Sequence, residues 1–379
     1  MLTATELEQR LLQFTRERLA PSELADGITA DTRLFEDRVI DSLKVLELIA
    51  FVQRSLGRKI PDAQIVLANF RTIGTIARVF TSDDAVPASR ARRRNVPRRL
   101  HATTAIEELM ARGELELTAD GGLIMRGPAA SLHEYFDATV RGWALELGAV
   151  EESVDDEIAL GALGRAGFTT AFPQKLVIDE SFGGTRARPP AVCYHHYPRV
   201  ADSTLAGESI VTAVGRCYRN EYDADSAYPV ERLRSFTMRE IIAVGGHELV
   251  EGLRNGLMKR VSLWLKELGL TGEIEVATDP FFTAESKGRM LMQRMLPLKY
   301  ELRLQVDRDG RSVAAASFNN HEQHFGRAFS ILQPSGEFAC SGCVAFGWER
   351  WVVAFVNQHG PDEDSWPEVV RSRDVAATV

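Results

Sequence analysis

An α+β protein in two parts is the fold class this sequence predicts: a small helical module, then a larger domain built on an antiparallel sheet. Three observations predict it. Apolar residues recur at helical spacing through residues 1–80. A stretch with little apolar content, residues 81–102, carries two Pro and an Arg run and separates the parts. Beyond it, strand-like runs and helical patterns follow one another without a βαβ alternation.

The elements follow in order. Thr5 to Leu19 reads as one amphipathic helix, with Leu7, Leu11, Leu12 and Phe14 near helical spacing. A loop with Pro21, Gly27 and Asp31 comes next. Asp41 is placed to cap a helix from Ser42 to about Leu56, which Gly57 ends. Leu43, Leu46, Ile49 and Ala50 are read as its buried stripe. A last helix around Ile73 to Phe80 completes a four-helix bundle over residues 1–80. Residues 81–102 are the linker, and the domain of residues 103–379 follows. Its strand-like runs are Ser209–Tyr218, Ser235–Val244, Tyr300–Val306 and Ser312–Phe318.

Composition bounds the function. The 379 residues are 45% apolar and 26% charged, ordinary for a soluble globular chain. No run of about eighteen apolar residues exists, so no membrane span is expected. A basic start followed by an apolar stretch is missing, so no secretion signal is expected either. Four cysteines are too few for a disulfide framework, and a cytoplasmic location is expected. A net charge of −8 gives no general nucleic-acid footprint. The local exception is RARRRNVPRR at 90–99, with six Arg and no acid; it reads as a solvated linker that could touch phosphates.

Asp41-Ser42-Leu43 opens the second helix of the module. Asp and Ser there are also what ordinary helix capping selects. The context resembles the prosthetic-group site of acyl and peptidyl carrier proteins. That resemblance implies a 4′-phosphopantetheine arm on Ser42, attached by a phosphopantetheinyl transferase. Many such carriers are strongly acidic, whereas residues 1–80 hold 11 acidic and 11 basic side chains. A tethered arm would raise the effective concentration of its thiol near a linked active site.

Gly215-Arg216-Cys217-Tyr218-Arg219-Asn220-Glu221, a polar loop, and Glu231-Arg232-Leu233-Arg234-Ser235-Phe236-Thr237-Met238-Arg239-Glu240 could be a surface hairpin with an ion pair. They also resemble the ATP-binding hairpin of class II aminoacyl-tRNA synthetases. Ala339-Cys340-Ser341-Gly342-Cys343-Val344-Ala345-Phe346-Gly347-Trp348-Glu349-Arg350-Trp351 resembles the last signature of that class, with Ala345 where many members have Gly. The resemblance covers roughly residues 103–360. It implies a class II synthetase-type antiparallel sheet flanked by helices, with ATP and Mg2+. It gives Arg219 to the α-phosphate, Glu221 to adenine, Phe236 to stacking on the purine and Arg350 to the γ-phosphate. Such types suit the chemistry, since an Arg fork can neutralise a phosphate under attack by a carboxylate.

The spacing from Arg232 through Phe236 to Glu240, and Ser317-Phe318-Asn319-Asn320 with Phe325-Gly326-Arg327, resemble the seryl branch. A carrier-like module stands where seryl enzymes grip tRNA. The combination resembles amino acid:[carrier protein] ligases, relatives of atypical zinc-dependent seryl-tRNA synthetases. That family implies Zn2+ held by Cys193, Glu240 and a Cys of the last signature. Cys343 is favoured and Cys340 is the alternative; His195 and His196 are nearby substitutes. Without the family, these cysteines read as buried thiols. Asp279 stands where the family places an acid near the substrate amine.

The expected function is ATP-dependent activation of a small amino acid as an adenylate, then transfer to the pantetheine thiol of a carrier domain, its own or one in trans. A homodimer is expected, and neither tRNA nor a membrane is expected as a partner. A compact seryl-type tRNA synthetase and an inactive carrier-binding paralogue are the alternatives.

Overall fold

A computed structural model describes residues 2–371 apart from 22, 36, 38, 41–43, 62–63, 66, 82–103, 120, 222–230, 278–297 and 308–309. Ser42, the arginine-rich run and Asp279 thus lie outside the described residues. The described residues fall into two compact units, one within residues 1–96 and the other within 97–275 and 299–379.

In the first unit, Thr3 caps α1 (Ala4–Phe14). Its hydroxyl accepts from the Glu6 N–H at 3.3 Å, and Glu6 accepts from the Thr3 N–H at 2.8 Å. The predicted Thr5–Leu19 helix is continuous but widens to a π-helical turn over Thr15–Leu19. α2 spans Lys44–Leu56, and Gly57 follows it at φ +66°, a left-handed conformation that glycine adopts without steric cost. Its buried stripe is Val45, Leu48, Ile49 and Val52, rotated from the predicted one. Both rows are apolar; the i, i+3, i+4, i+7 row of Val45 faces the core and leaves Leu46 and Ala50 half-buried. α3 (Leu67–Phe70) and α4 (Ile73–Thr81) close this core, with Phe70 and Phe80 ring centroids 5.0 Å apart.

The second unit begins with α5 (Thr104–Ala111), the antiparallel hairpin of β1 (Leu115–Leu117) and β2 (Leu123–Met125), and α6 (Gly127–Glu146). β3 (Val150–Glu151) joins the main sheet. β4 (Ile158–Ala159), β5 (Ile178–Asp179) and β6 (Arg186–Ala187) make a small sheet of order β4-β6-β5. The remaining strands are β7 (Ser209–Tyr218), β8 (Ser235–Gly245), β9 (Gly272–Val276), β10 (Lys299–Gln305), β11 (Ser312–Glu322) and β12 (Cys340–Gly347). The main sheet has seven strands in the order β3-β7-β8-β12-β11-β10-β9. Neighbours from β7 to β10 are antiparallel, as expected; edge strand β3 runs parallel to β7. β11 outruns its predicted end at Phe318 because Asn319 and Asn320 continue the ladder with Cys343 and Gly342.

Strand alternation gives the sheet two different faces. Ile241, Ala243, Val344 and Phe346 pack under the helices α6, α7 (His247–Glu267) and α8 (Trp348–His359). Phe136, Trp264 and Trp351 form the aromatic centre of that layer, Trp264 and Trp351 lying 4.8 Å apart. Gly342 permits the close approach: a Cβ there would meet Val250 at 2.6 Å and the Asn319 carbonyl at 2.7 Å. On the opposite face lie Cys217, Met238, Ala345, Ile242 and Cys343, partly covered by the 3-10 turn Val192–His195. Among the described residues, no helix is long and apolar enough to cross a membrane.

Candidate active site

The covered face of the sheet brings Cys193, Glu240 and Cys343 together. One ligand atom from each lies within 4.8 Å of the other two, and all three residues are buried. Cross-strand register explains two of them. Glu240 on β8 faces Ala345 on β12, and Cys343 stands two residues back on the same face. The turn carrying Cys193 is pinned above, because the Val192 N–H donates to Glu240 Oε1 at 3.1 Å. Cys340, at an even position of β12, turns to the helix-covered core instead. Neither His195 nor His196 joins the group; His196 Nδ1 lies 3.3 Å from Glu152.

The electrostatics of this trio are those of acids crowded out of water. The Cys193 thiol is pushed well up by its hydrogen bond to Cys343, then by burial and the Glu240 carboxylate. A hydrogen bond from Cys193 favours the Cys343 thiolate, but burial and Glu240 outweigh it and push that thiol up too. Burial raises the Glu240 carboxyl against the pull of the two thiols. Glu240 Oε2 is buried with no partner of ordinary hydrogen-bond geometry. Two thiols and an orphaned carboxylate oxygen fit a zinc ion by donor type and by spacing.

The residues expected at the nucleotide lie just past β7 (Arg219, Glu221), on β8 (Phe236) and in the first turn of α8 (Arg350). Arg219 and Glu221 follow the end of β7, where the Arg219 N–H donates to the Arg234 carbonyl at 2.9 Å. The Arg219 guanidinium sits over the Phe236 ring, 5.2 Å from its centroid. Its Nε also donates to the Pro190 carbonyl at 3.1 Å. Glu221 pairs with Lys175, whose ammonium helps hold the carboxyl below its usual range against burial. Arg350, in the first turn of α8, donates to the Glu231 and Ala314 carbonyls at 3.1 and 2.8 Å. Burial, then the like charge of Arg219, lowers its affinity for its proton, while Glu221 opposes that. Arg219, Glu221 and Arg350 thus feel one another, and Arg219 also bears on Glu240.

Several neighbours went unassigned in the sequence. Glu349 is buried and accepts from Arg216 at 3.2 Å. Asn319 Nδ2 approaches Cys343 Sγ at 3.4 Å, and His321 Nε2 lies 3.8 Å from the same sulfur. Lys175 ends the 3-10 turn Pro173–Lys175, far in sequence from either signature. Asn319 stood in a quoted segment and Glu349 in the last signature, so position alone flagged them; Lys175 and His321 carried no signal.

This chain is 34% identical over 233 residues to amino acid–[acyl-carrier-protein] ligase 2 of Bradyrhizobium diazoefficiens, covering 61% of this chain and 65% of that protein. It is 35% identical over 184 residues to ligase 1 of the same organism, covering 48% and 55%. The chain thus spans less than two thirds of either ligase. A type-2 serine–tRNA ligase of Methanopyrus kandleri is 28% identical over 196 residues, covering 48% of this chain and 37% of that one. The solved structure of M. kandleri SerRS with A. aeolicus tRNASec superposes with a TM-score of 0.62 at 20% identity, over 80% of this chain and 68% of that one. The large sheet therefore has the fold of a seryl-tRNA synthetase. No protein-family model matches the chain.

Proposed function

We propose that this chain is an ATP-dependent ligase that activates a small amino acid as its adenylate and passes it to the thiol of a carrier domain. The observation that carries the reading is the convergence of Cys193, Glu240 and Cys343 beside Arg219 on one sheet face. The carrier-protein ligases at 34 and 35% identity support it.

In this reading Cys193, Glu240 and Cys343 hold zinc, which supplies a Lewis-acid position for the substrate amine. Arg219 draws the substrate carboxylate and the α-phosphate together and neutralises charge as the carboxylate oxygen attacks phosphorus and pyrophosphate leaves. Arg350 holds the departing phosphates with Mg2+, Glu221 takes the adenine amino group, and Phe236 stacks on the purine. Asp279 is assigned to the amino group. The aminoacyl group then moves from the adenylate to a thiol; the C–S bond forms, the C–O bond to phosphate breaks, and AMP leaves. Ser42 is the proposed attachment point of the 4′-phosphopantetheine arm, in a carrier module over residues 1–80.

A homodimer belongs to the same proposal. Leu145, Leu147 and Val150 are exposed where α6 ends and edge strand β3 begins, an apolar patch beside an open sheet edge. Light scattering would test it. The serine–tRNA ligase relatives favour the second reading, a compact tRNA synthetase. The deciding experiment is the intact mass of the pantetheinylated full chain after incubation with ATP and each small amino acid. A mass gain of one aminoacyl group supports the ligase; no gain with any of them rejects it.

A further inference from the structure

We propose that Cys340, His247 and Glu322 form a second metal site, separate from the trio on the other face of the sheet, which takes zinc or a similar borderline divalent ion. One ligand atom from each residue lies within 4.8 Å of the other two. Cys340 opens β12, Glu322 ends β11, and His247 opens α7, so three elements converge at one end of the sheet. Cys340 and Cys343 stand three apart on one strand and so project to opposite faces.

Glu322 is held for this role. A register shift in β11 falls between Asn320 and Glu322, and Glu322 has φ +50°, uncommon for a residue with a side chain. Buried Asn320 grips it twice: its Oδ1 accepts from the Glu322 N–H at 2.8 Å and its Nδ2 donates to Glu322 Oε1 at 3.1 Å. That leaves Oε2 turned toward His247 Nδ1, 3.7 Å away. Ligand atoms on a tetrahedral ion with bonds of about 2.0–2.3 Å stand roughly 3.3–3.8 Å apart, so the His–Glu separation already suits a shared ion. A carboxylate steered by a neighbouring amide is also how ligating carboxylates are usually oriented. The plain alternative is a surface His–Glu pair above a buried thiol. A shared ion gives that pair and the sulfur of an almost fully buried Cys340, which lies within reach of both donors, one common role.

Thiolate, imidazole and carboxylate together select zinc or cobalt over magnesium or calcium. As the metal–sulfur bond forms, the Cys340 thiol proton is released to solvent, and no group changes oxidation state. Half-exposed His247 and Glu322 leave a coordination position open to water. The ion would tie β11, β12 and α7 together, and through β12 steady the strand that carries Cys343.

The test uses the full chain, stripped by a chelator and titrated with Co2+, read by thiolate-to-cobalt absorption and by metal analysis. Two equivalents per chain are expected. His247→Gln should remove one and Cys193→Ser the other, and His247→Gln, at a half-exposed position, should keep the parent circular dichroism. Cys340→Ser should match His247→Gln. A parent chain that binds no metal, or bound metal that survives both His247→Gln and Cys340→Ser undiminished, overturns the proposal. Because Cys193→Ser leaves this site intact, failure here and failure of the proposed catalytic zinc remain distinguishable.

Discussion

The Thr237 N–H donates to both carboxylate oxygens of Glu349, at 2.8 and 2.9 Å. The contact ties the first turn of α8 to β8, one residue from Phe236 and one from Arg350. Arg216 closes the same carboxylate from the other side and reaches Ser235 as well. Glu349 therefore fixes the spacing between the proposed stacking ring and the proposed phosphate-binding arginine.

Glu349→Ala should cost about 2 kcal/mol, because it strands the Thr237 N–H, while half-exposed Arg216 keeps water and its Ser235 contact. Burial, outweighing the Thr237 and Arg216 contacts, raises the Glu349 carboxyl above its ordinary 4.5. The folded chain thus binds this proton more tightly than the unfolded one. Its contribution to stability is full below pH 4.5 and is lost as pH climbs through the raised value. Glu349→Gln removes that titration, so its stability should fall less than the parent's above pH 4.5. Denaturation midpoints across that range check it, and parallel curves for the two proteins would reject it.

Arg350→Ala should lower amino-acid-dependent pyrophosphate exchange by about 10²–10³, the usual cost of one preorganised charge contact. Arg350→Lys should recover little, since Lys lacks the planar fork. Exchange at the parental rate in both variants would remove Arg350 from the nucleotide site.

Local pattern carried much of this. The strand-like run Ser209–Tyr218 marks β7 from end to end. Period-two geometry, once β12 is known to be a strand, separates Cys343 from Cys340. Neither the helix stripe nor the long-range pairs were as legible. Val45 and Leu46 are equally apolar, so only the packed core chooses between their rows. Arg216 and Glu349 are 133 positions apart, and no local spacing links them. The resemblance gives Arg219 to a phosphate and Phe236 to a purine; the hairpin also brings the guanidinium over the ring, a contact that no local spacing announces. Ser42 and Asp279 lie outside the described residues, and their roles rest on sequence alone.

Cys193→Ser should release the metal of the Cys193–Glu240–Cys343 trio and stop adenylate formation. Loss of residues that merely support a ligand costs about 10–100-fold in affinity or activity, so loss of a ligand should exceed that. Metal analysis beside pyrophosphate exchange reads both. A variant with parental exchange and no metal at this trio would contradict the catalytic role of zinc.

Ser42→Ala should leave exchange intact and abolish aminoacyl loading in cis, because Ser42 carries only the acceptor arm in this reading. Supplying the wild-type residues 1–80 as a separate pantetheinylated chain should restore label on that chain if loading can run in trans. Thioester formation on the Ser42→Ala protein itself, with no other carrier present, would sink the assignment.

Transfer RNA should not be the acceptor, although a seryl-tRNA synthetase complex shares this fold. Holding a large polyanion takes many basic contacts, and sequence-independent phosphate contacts dominate such binding. Here net charge is −8, and basic density concentrates in RARRRNVPRR at 90–99. Those six arginines are where a substitute tRNA arm would have to sit. An acceptor thiol on the N-terminal module would have the kinetic advantage of tethering, with an effective concentration that can reach the millimolar range for short flexible linkers. Free tRNA would have to compete with that. Radiolabelled amino acid, ATP and total tRNA incubated with the pantetheinylated chain should therefore place label on protein, as a hydroxylamine-labile thioester. Raising the salt should leave that labelling nearly unchanged, because a tethered transfer displaces few counterions. Efficient nuclease-sensitive labelling of RNA, steeply weakened by salt and lost when the arginines of 90–99 are replaced, would make a compact seryl-type synthetase the better answer.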